Sequence, residues 1–201
     1  MNTDRFLSAE PESRMRNILF FVIISFLFIS CEKNLEEKVT ASNFKSKRIS
    51  RTNTIILKAP LKKVFPLFGP LKEKEWAEGW NPEVVYSDAD DVAEHMVFKT
   101  KTHGHGETEY TWTVSKYSPE QSLIEYTVFT PERLWFITIK CTENVAAQTT
   151  EAEITYTYTG LTERGNATNE KALQTMYAHN LKDWEKAINY YLETGERLKH
   201  H

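Results

Sequence analysis

Cysteine is scarce in this 201-residue chain, which has only 2, so no disulfide framework supports the fold. Glycine and proline are held to 7 each, which excludes collagen-like repeats and a predominantly low-complexity chain. Positive charge is not in excess either: 25 Lys+Arg face 28 Asp+Glu, for a formal net charge of −3 and a pI of about 6.1. Nucleic-acid domains draw most of their affinity from phosphate neutralisation and usually carry a basic patch with a pI above about 9, so no nucleic-acid partner is expected. A Gly-rich phosphate loop, a CxxC pair, HExxH and GxSxG are all missing. The usual sequence support for nucleotide, redox, zinc-protease and serine-hydrolase chemistry goes with them. No apolar run reaches the roughly 20 residues that a helix needs to cross a bilayer.

What is present suffices for one core, with 40% hydrophobic and 12% aromatic residues. The longest apolar run, Ile18 to Ser30, follows Arg14 and Arg16 and has the length of a secretory h-region, roughly 7–15 residues. Residues 1–30 are therefore expected to be a signal peptide. Met1 to Ser13 is polar and partly acidic, unlike a basic n-region, which makes Met15 an alternative start. An ordinary cleavage site wants small residues one and three places before the cut, and Phe28 fails this. The stretch FISC resembles a bacterial lipobox instead: Ser30 and Cys31 match, while Phe28 stands where Leu is commoner. That resemblance implies lipid attachment at Cys31 and a lipoprotein held at the periplasmic face or cell surface. The alternatives are an uncleaved anchor or an ordinary signal, and both also place the chain outside the cytoplasm. Residues 31–52, rich in Lys, Glu, Ser, Thr and Asn, read as a flexible tether.

From 53 to 195 one order of elements is legible, with 196–201 left as a tail. A β-branched run at Thr54–Lys58 predicts a strand, and Pro60 sits where a helix starts. Pro66, Gly69 and Pro70 divide the helical stretch after it into two short helices, the second near Leu71–Trp76. Beyond Pro82, period-two alternation predicts strands at about Val84–Ser87, Glu94–Thr102, Glu107–Tyr117, Leu123–Thr130, Leu134–Thr142 and Thr149–Thr159. Apolar residues at steps of three and four from Leu173 to Leu192 then predict one long amphipathic helix, capped by Asn166 or Thr168 and stopped by Gly195.

The stretches APLKKVFPLFGP, EKEWAEGWNPEVVY, YTWTVSKYSPEQSLIEYTVFTPERLWFITIKC and AEITYTYTGLTERG, in this order, resemble the START-like or SRPBCC superfamily. The resemblance implies an α+β helix-grip fold, in which a curved antiparallel sheet of about seven strands surrounds a long C-terminal helix. It also implies a cavity between sheet and helix for a small apolar ligand. Strand alternation picks the side chains that would face it: Met96, Phe98, Tyr110, Trp112, Val114, Ile124, Tyr126, Val128, Ile137, Ile139, Ile154, Tyr156 and Tyr158. The helix adds Met176, Tyr177, Asn180 and Trp184. Of these, Phe98, Tyr110, Trp112, Tyr126, Ile139, Tyr156, Tyr158, Tyr177, Asn180 and Trp184 are the candidate ligand-binding residues. The expected function is a membrane-tethered, extracytoplasmic binding module for a hydrophobic or amphipathic, lipid-like ligand. Two alternatives remain open: a cyclase- or hydratase-like enzyme using pocket tyrosines, and a protein-interaction module with a closed groove.

Other conspicuous residues read as structural. Trp76, Trp80 and Pro82 look like a plug closing one end of the fold. His103, His105, Glu107 and Glu109 alternate, but Gly104 and Gly106 between them favour a hairpin tip over a metal site. Cys141 continues the period of Ile137 and Ile139 and should be a buried thiol. No cofactor or metal is expected.

Overall fold

The computed structural model describes residues 43–101 and 108–199, apart from the side chain of Asn180. The signal segment, Cys31 and the His103–Glu107 stretch lie outside the described residues. Seven strands form one antiparallel sheet: β1 Arg48–Leu57, β2 Glu83–Tyr86, β3 Val97–Lys101, β4 Glu109–Ser118, β5 Leu123–Phe129, β6 Arg133–Asn144 and β7 Thr149–Gly160. Their order is β1-β7-β6-β5-β4-β3-β2, so β2 to β7 run as a meander and β1 returns to pair with β7. The helices are α1 Leu61–Val64 with a 3₁₀ turn Phe65–Phe68, α2 Pro70–Glu73, α3 Glu163–Thr175 and α4 Leu181–Thr194. A π-helical turn, Met176–Asn180, joins α3 to α4. This is the helix-grip architecture.

Alternation builds the sheet's inner face. In β5, β6 and β7 every second side chain is buried, and the register stacks them into cross-strand rows: Ile124–Ile139–Ile154, Tyr126–Ile137–Tyr156 and Val128–Trp135–Tyr158. The rows continue through Val114 and Trp112 on β4 to Phe98 on β3. A bulge between Val114 and Lys116 shifts the β4–β5 register, a device that bends a strand. From the C-terminal helices, Tyr177, Leu181, Ala187 and Ile188 complete the core.

The second short helix, expected to run to Trp76, ends at Glu73, and three further boundaries differ from the sequence expectation. First, β1 starts at Arg48, inside the stretch 31–52 expected to be tether and ahead of the domain boundary at Asn53. Its first half is an exposed edge held by backbone pairing and a hydroxyl ladder, Ser50–Thr157 at 2.8 Å and Thr52–Thr155 at 2.7 Å, so it needs no apolar pattern. Second, β3 starts at Val97 and not at Glu94, because His95 adopts φ 69° in the preceding turn. Third, the C-terminal helix starts at Glu163 and is interrupted by the π turn. Its N-cap is Thr162, whose hydroxyl accepts from Gly165 N–H at 3.0 Å, while Asn166 and Thr168 lie inside the first turns. Gly165 is helical here because α3 crosses the end of β6 so closely that a Cβ would lie 1.9 Å from the Glu132 carbonyl oxygen. Among the described residues no helix is long and apolar enough to cross a membrane.

Candidate functional site

The proline-punctuated segment after β1 folds over the sheet by using its indoles as both apolar mass and hydrogen-bond donors. Trp76 Nε1 donates to the Leu67 carbonyl and Trp80 Nε1 to the Pro70 carbonyl, each at 2.8 Å. Trp76 is buried with its ring edge-on to Trp184, 5.6 Å between centroids, in keeping with the plug that the family resemblance implied. Trp80 is different: half-buried, it packs edge-on to Trp112 at 5.3 Å and forms part of a cavity wall. Glu73, at the end of α2, is brought to the same wall.

The cavity has two chambers. The outer one holds about 500 Å³, within the usual range of small-molecule sites. The inner recess holds about 50 Å³ and is lined by Phe68, Tyr126, Ile137 and Ile139 in addition to shared walls. Glu73, Trp80, Trp112, Tyr156 and Trp184 line both.

The sequence-derived candidates divide accordingly. Tyr110, Trp112, Tyr126, Ile139, Tyr156 and Trp184 lie on a cavity wall. Phe98 does not; it is packed behind the wall, stacked on Trp112 at 5.6 Å. Tyr158 is packed between Tyr156 and Trp135. Tyr177 turns its hydroxyl to the β1–β7 seam, donating to the Arg51 carbonyl and accepting from Tyr156 N–H, and so is a structural clamp. Asn180 has its side chain outside the described residues, as have His103 and His105 entirely. Among the described residues no cluster of His, Cys, Asp and Glu could hold a metal ion. Cys141 is buried, and burial pushes its thiol up to about 12, which removes it as a nucleophile.

Most polar groups on the aromatic wall are already committed. Trp112 Nε1 donates to Thr100 Oγ1 at 2.9 Å, and Tyr126 OH donates to the Phe68 carbonyl at 2.6 Å. Three are not: the Glu73 carboxyl, the Tyr156 hydroxyl and Trp184 Nε1 make no hydrogen bond or ion pair with any described residue. Burial raises the Glu73 carboxyl to about 8. Burial also holds the Tyr126 and Tyr156 hydroxyls well above their usual 10, with the nearby Glu73 charge adding to both. These tyrosines can donate hydrogen bonds but cannot serve as bases near neutral pH. Glu73 can titrate there, and it is the residue that sequence reasoning passed over. It sits in PLKEKEW, read from sequence only as the second short helix, where the charged neighbours Lys72, Lys74 and Glu75 give no sign of enclosure.

Residues 48–188 match the model of a family described as polyketide cyclase/dehydrase and lipid transport. No curated protein matches the sequence. Among solved structures, norcoclaurine synthase from Thalictrum flavum superposes with a TM-score of 0.57 at 12% identity, over 74% of this chain and 88% of that one. A protein from Rhizobium leguminosarum gives 0.51 at 16% identity, over 75% and 99% respectively. Ara h 8.0201 gives 0.50 at 14%, over 75% and 99%. At such identities the likeness concerns the fold.

Proposed function

This chain belongs to the polyketide cyclase/dehydrase and lipid transport family, and from that premise we propose that it is a binding module for a small hydrophobic or amphipathic ligand, tethered outside the cytoplasm by a lipid on Cys31. The observation that carries the ligand reading is the two-chambered cavity, whose inner recess is walled by aromatic and aliphatic side chains and whose mouth is polar. An apolar body would gain about 25 cal/mol for each Å² it hides in such a wall. A groove with about 500 Å³ of free space also argues against the closed-groove interaction module. The tether and its location are supported by the apolar run ending in Ser30-Cys31. A cyclase- or hydratase-like reaction is the second reading. It is favoured by Glu73, the cavity carboxyl whose proton is exchangeable near neutral pH, in place of the tyrosines.

The test is mass spectrometry of the protein released from membranes under native conditions, followed by organic extraction. A reproducible noncovalent mass small enough for the cavity is expected, with a covalent acyl mass that Cys31→Ser abolishes while the noncovalent mass persists. A chain that carries no extractable ligand and takes up no added apolar compound would refute the binding function. An acyl mass that survives Cys31→Ser would refute the anchor.

A further inference from the structure

Resting on the cavity reading above, we propose that the ligand is an organic cation: an amine with an apolar, ring-sized body whose ammonium group pairs with Glu73 while its body lies among Trp80, Trp112 and Trp184. Three observations converge on this. Glu73 lines both chambers, yet no hydrogen bond or ion pair from a described residue reaches its carboxyl. A desolvated carboxylate without a partner is costly, and the cavity is the one direction from which a counter-charge can arrive. None of the three surrounding indoles bonds to the carboxylate, and two of them have no N–H left to offer. Trp80 and Trp112 spend their N–H groups on Pro70 and Thr100, so what they offer to the cavity is ring surface, which attracts cations as well as apolar groups.

The third observation is the charge at the mouth. Among the described residues Glu78, Glu83 and Glu109 stand there against Lys99 and Lys101, and since Lys99 and Glu109 pair at 2.7 Å the excess is a single negative charge. The rim therefore favours entry of a cation over an anion. Deeper in, the other ionisable groups are Tyr126 and Tyr156, whose burial holds their hydroxyls well above the usual range and so neutral. Tyr156, with its hydroxyl uncommitted, offers a hydrogen-bond donor or acceptor for a second polar atom on the ligand. A neutral hydrophobe would fill the volume but leave Glu73 unpaired. An anionic amphiphile such as a fatty acid would place like charge beside it.

Binding is thereby linked to protons. Burial raises the Glu73 carboxyl to about 8, so at pH 7 the empty site is mostly protonated, and an ammonium ligand displaces that proton. Affinity should rise from pH 6 to pH 8.5 as Glu73 ionises, and fall once the amine itself loses its charge.

The experiment compares two near-isosteric compounds, 1-naphthylmethylamine and 1-naphthylmethanol, by calorimetry on the full chain in nanodiscs, with empty nanodiscs subtracted. For the natural chain at pH 8 the amine should bind about 10-fold more tightly than the alcohol, the scale of a hydrogen-bonded charge pair. In Glu73→Gln, which keeps the side chain's shape, that advantage should shrink to within about 2-fold. Titrations at pH 7 in buffers of different ionisation heat should show nearly one proton released by the natural chain and none by the variant. Equal binding of the two compounds, tighter binding of the alcohol, or an advantage that survives Glu73→Gln overturns the cation assignment while leaving a hydrophobic cavity in place. Failure of both compounds to bind overturns the assignment together with the cavity reading.

Discussion

A carboxyl group set in a largely aromatic wall is a strong local perturbation, and at Glu73 it has a measurable sign. Its ordinary value of 4.5 applies to the unfolded chain, and the folded value is about 8. The unfolded chain therefore releases this proton first as pH rises. The stability linked to the protonated carboxyl is whole below about pH 4.5 and is lost progressively until about pH 8. The amide of Glu73→Gln has no proton to lose. A tenfold difference in proton affinity between the folded and unfolded chain is worth about 1.4 kcal/mol, and the carboxyl's contact with cavity water discounts the sum. Glu73→Gln should thus be about 2 kcal/mol more stable than the natural chain at pH 8.5 and within about 0.5 kcal/mol of it at pH 5, by urea denaturation at both values. A difference that does not change with pH would mean that the carboxyl is solvated in the folded state. Nothing in the sequence flags this residue, since the enclosure comes from β4, β7 and α4, far along the chain. The aromatic wall residues were easier to find, because alternation on a strand needs only local pattern. Tyr158 and Phe98 share that pattern without reaching the cavity, because alternation reports which face a side chain takes and not whether another ring stands in front of it.

Elements with one buried face were legible at the level of pattern. The period-two runs in LIEYTVF, RLWFITIKC and EITYTYT mark β5, β6 and β7 to within a residue or two, because each has one face packed and the other polar. Elements whose identity rests on long-range pairing were not. The first half of β1 carries no apolar period and is a strand because β7 offers it a partner. The π turn is equally hidden, since the apolar steps before and after it read as one continuous helix. Its extra residue places Met176 on the cavity and Tyr177 on the β1–β7 seam. Gly165 shows the same limit. In an open helix, replacing Gly by Ala would stabilise by about 1 kcal/mol. Here the new Cβ would meet the Glu132 carbonyl at 1.9 Å, and backbone cannot step aside as a flexible side chain can. Gly165→Ala is expected to destabilise by about 2 kcal/mol, the usual scale of overpacking, with the loss seen in the urea midpoint at unchanged slope. A neutral or stabilising effect would mean that the start of α3 can slide away from β6 freely.

At the scale of the whole molecule, the question is where the folded unit begins, because that decides how long the proposed tether is. The compact unit runs from Phe44 onward. Ser46 Oγ donates to the Gly160 carbonyl at 2.6 Å, Gly160 N–H donates to the Lys47 carbonyl at 3.0 Å, and Lys47 N–H donates to Asn166 Oδ1 at 3.0 Å. Next come the pairs from Arg48↔Thr159 onward, with the Arg51 guanidinium 4.7 Å above the Tyr177 ring. A chain beginning at Asn53, where the apolar pattern starts, loses all of these together. It also leaves half of β7 as a bare edge, and removes the carbonyl that receives the Tyr177 hydroxyl. Each lost hydrogen bond is worth about 1 kcal/mol net, and a few of the exposed ones contribute less, so a total of about 3 kcal/mol or more is expected. Tyr156 stands on that exposed stretch of β7 and also lines both chambers, so the damage should reach the cavity. Versions starting at Asn43 and Asn53, compared by urea denaturation and by 1-naphthylmethanol binding, separate the possibilities. The longer chain should bind the alcohol and unfold in one transition, and the shorter one should lose both stability and binding. Equal stability and binding in the two would make the first half of β1 dispensable and return residues up to Thr52 to the tether.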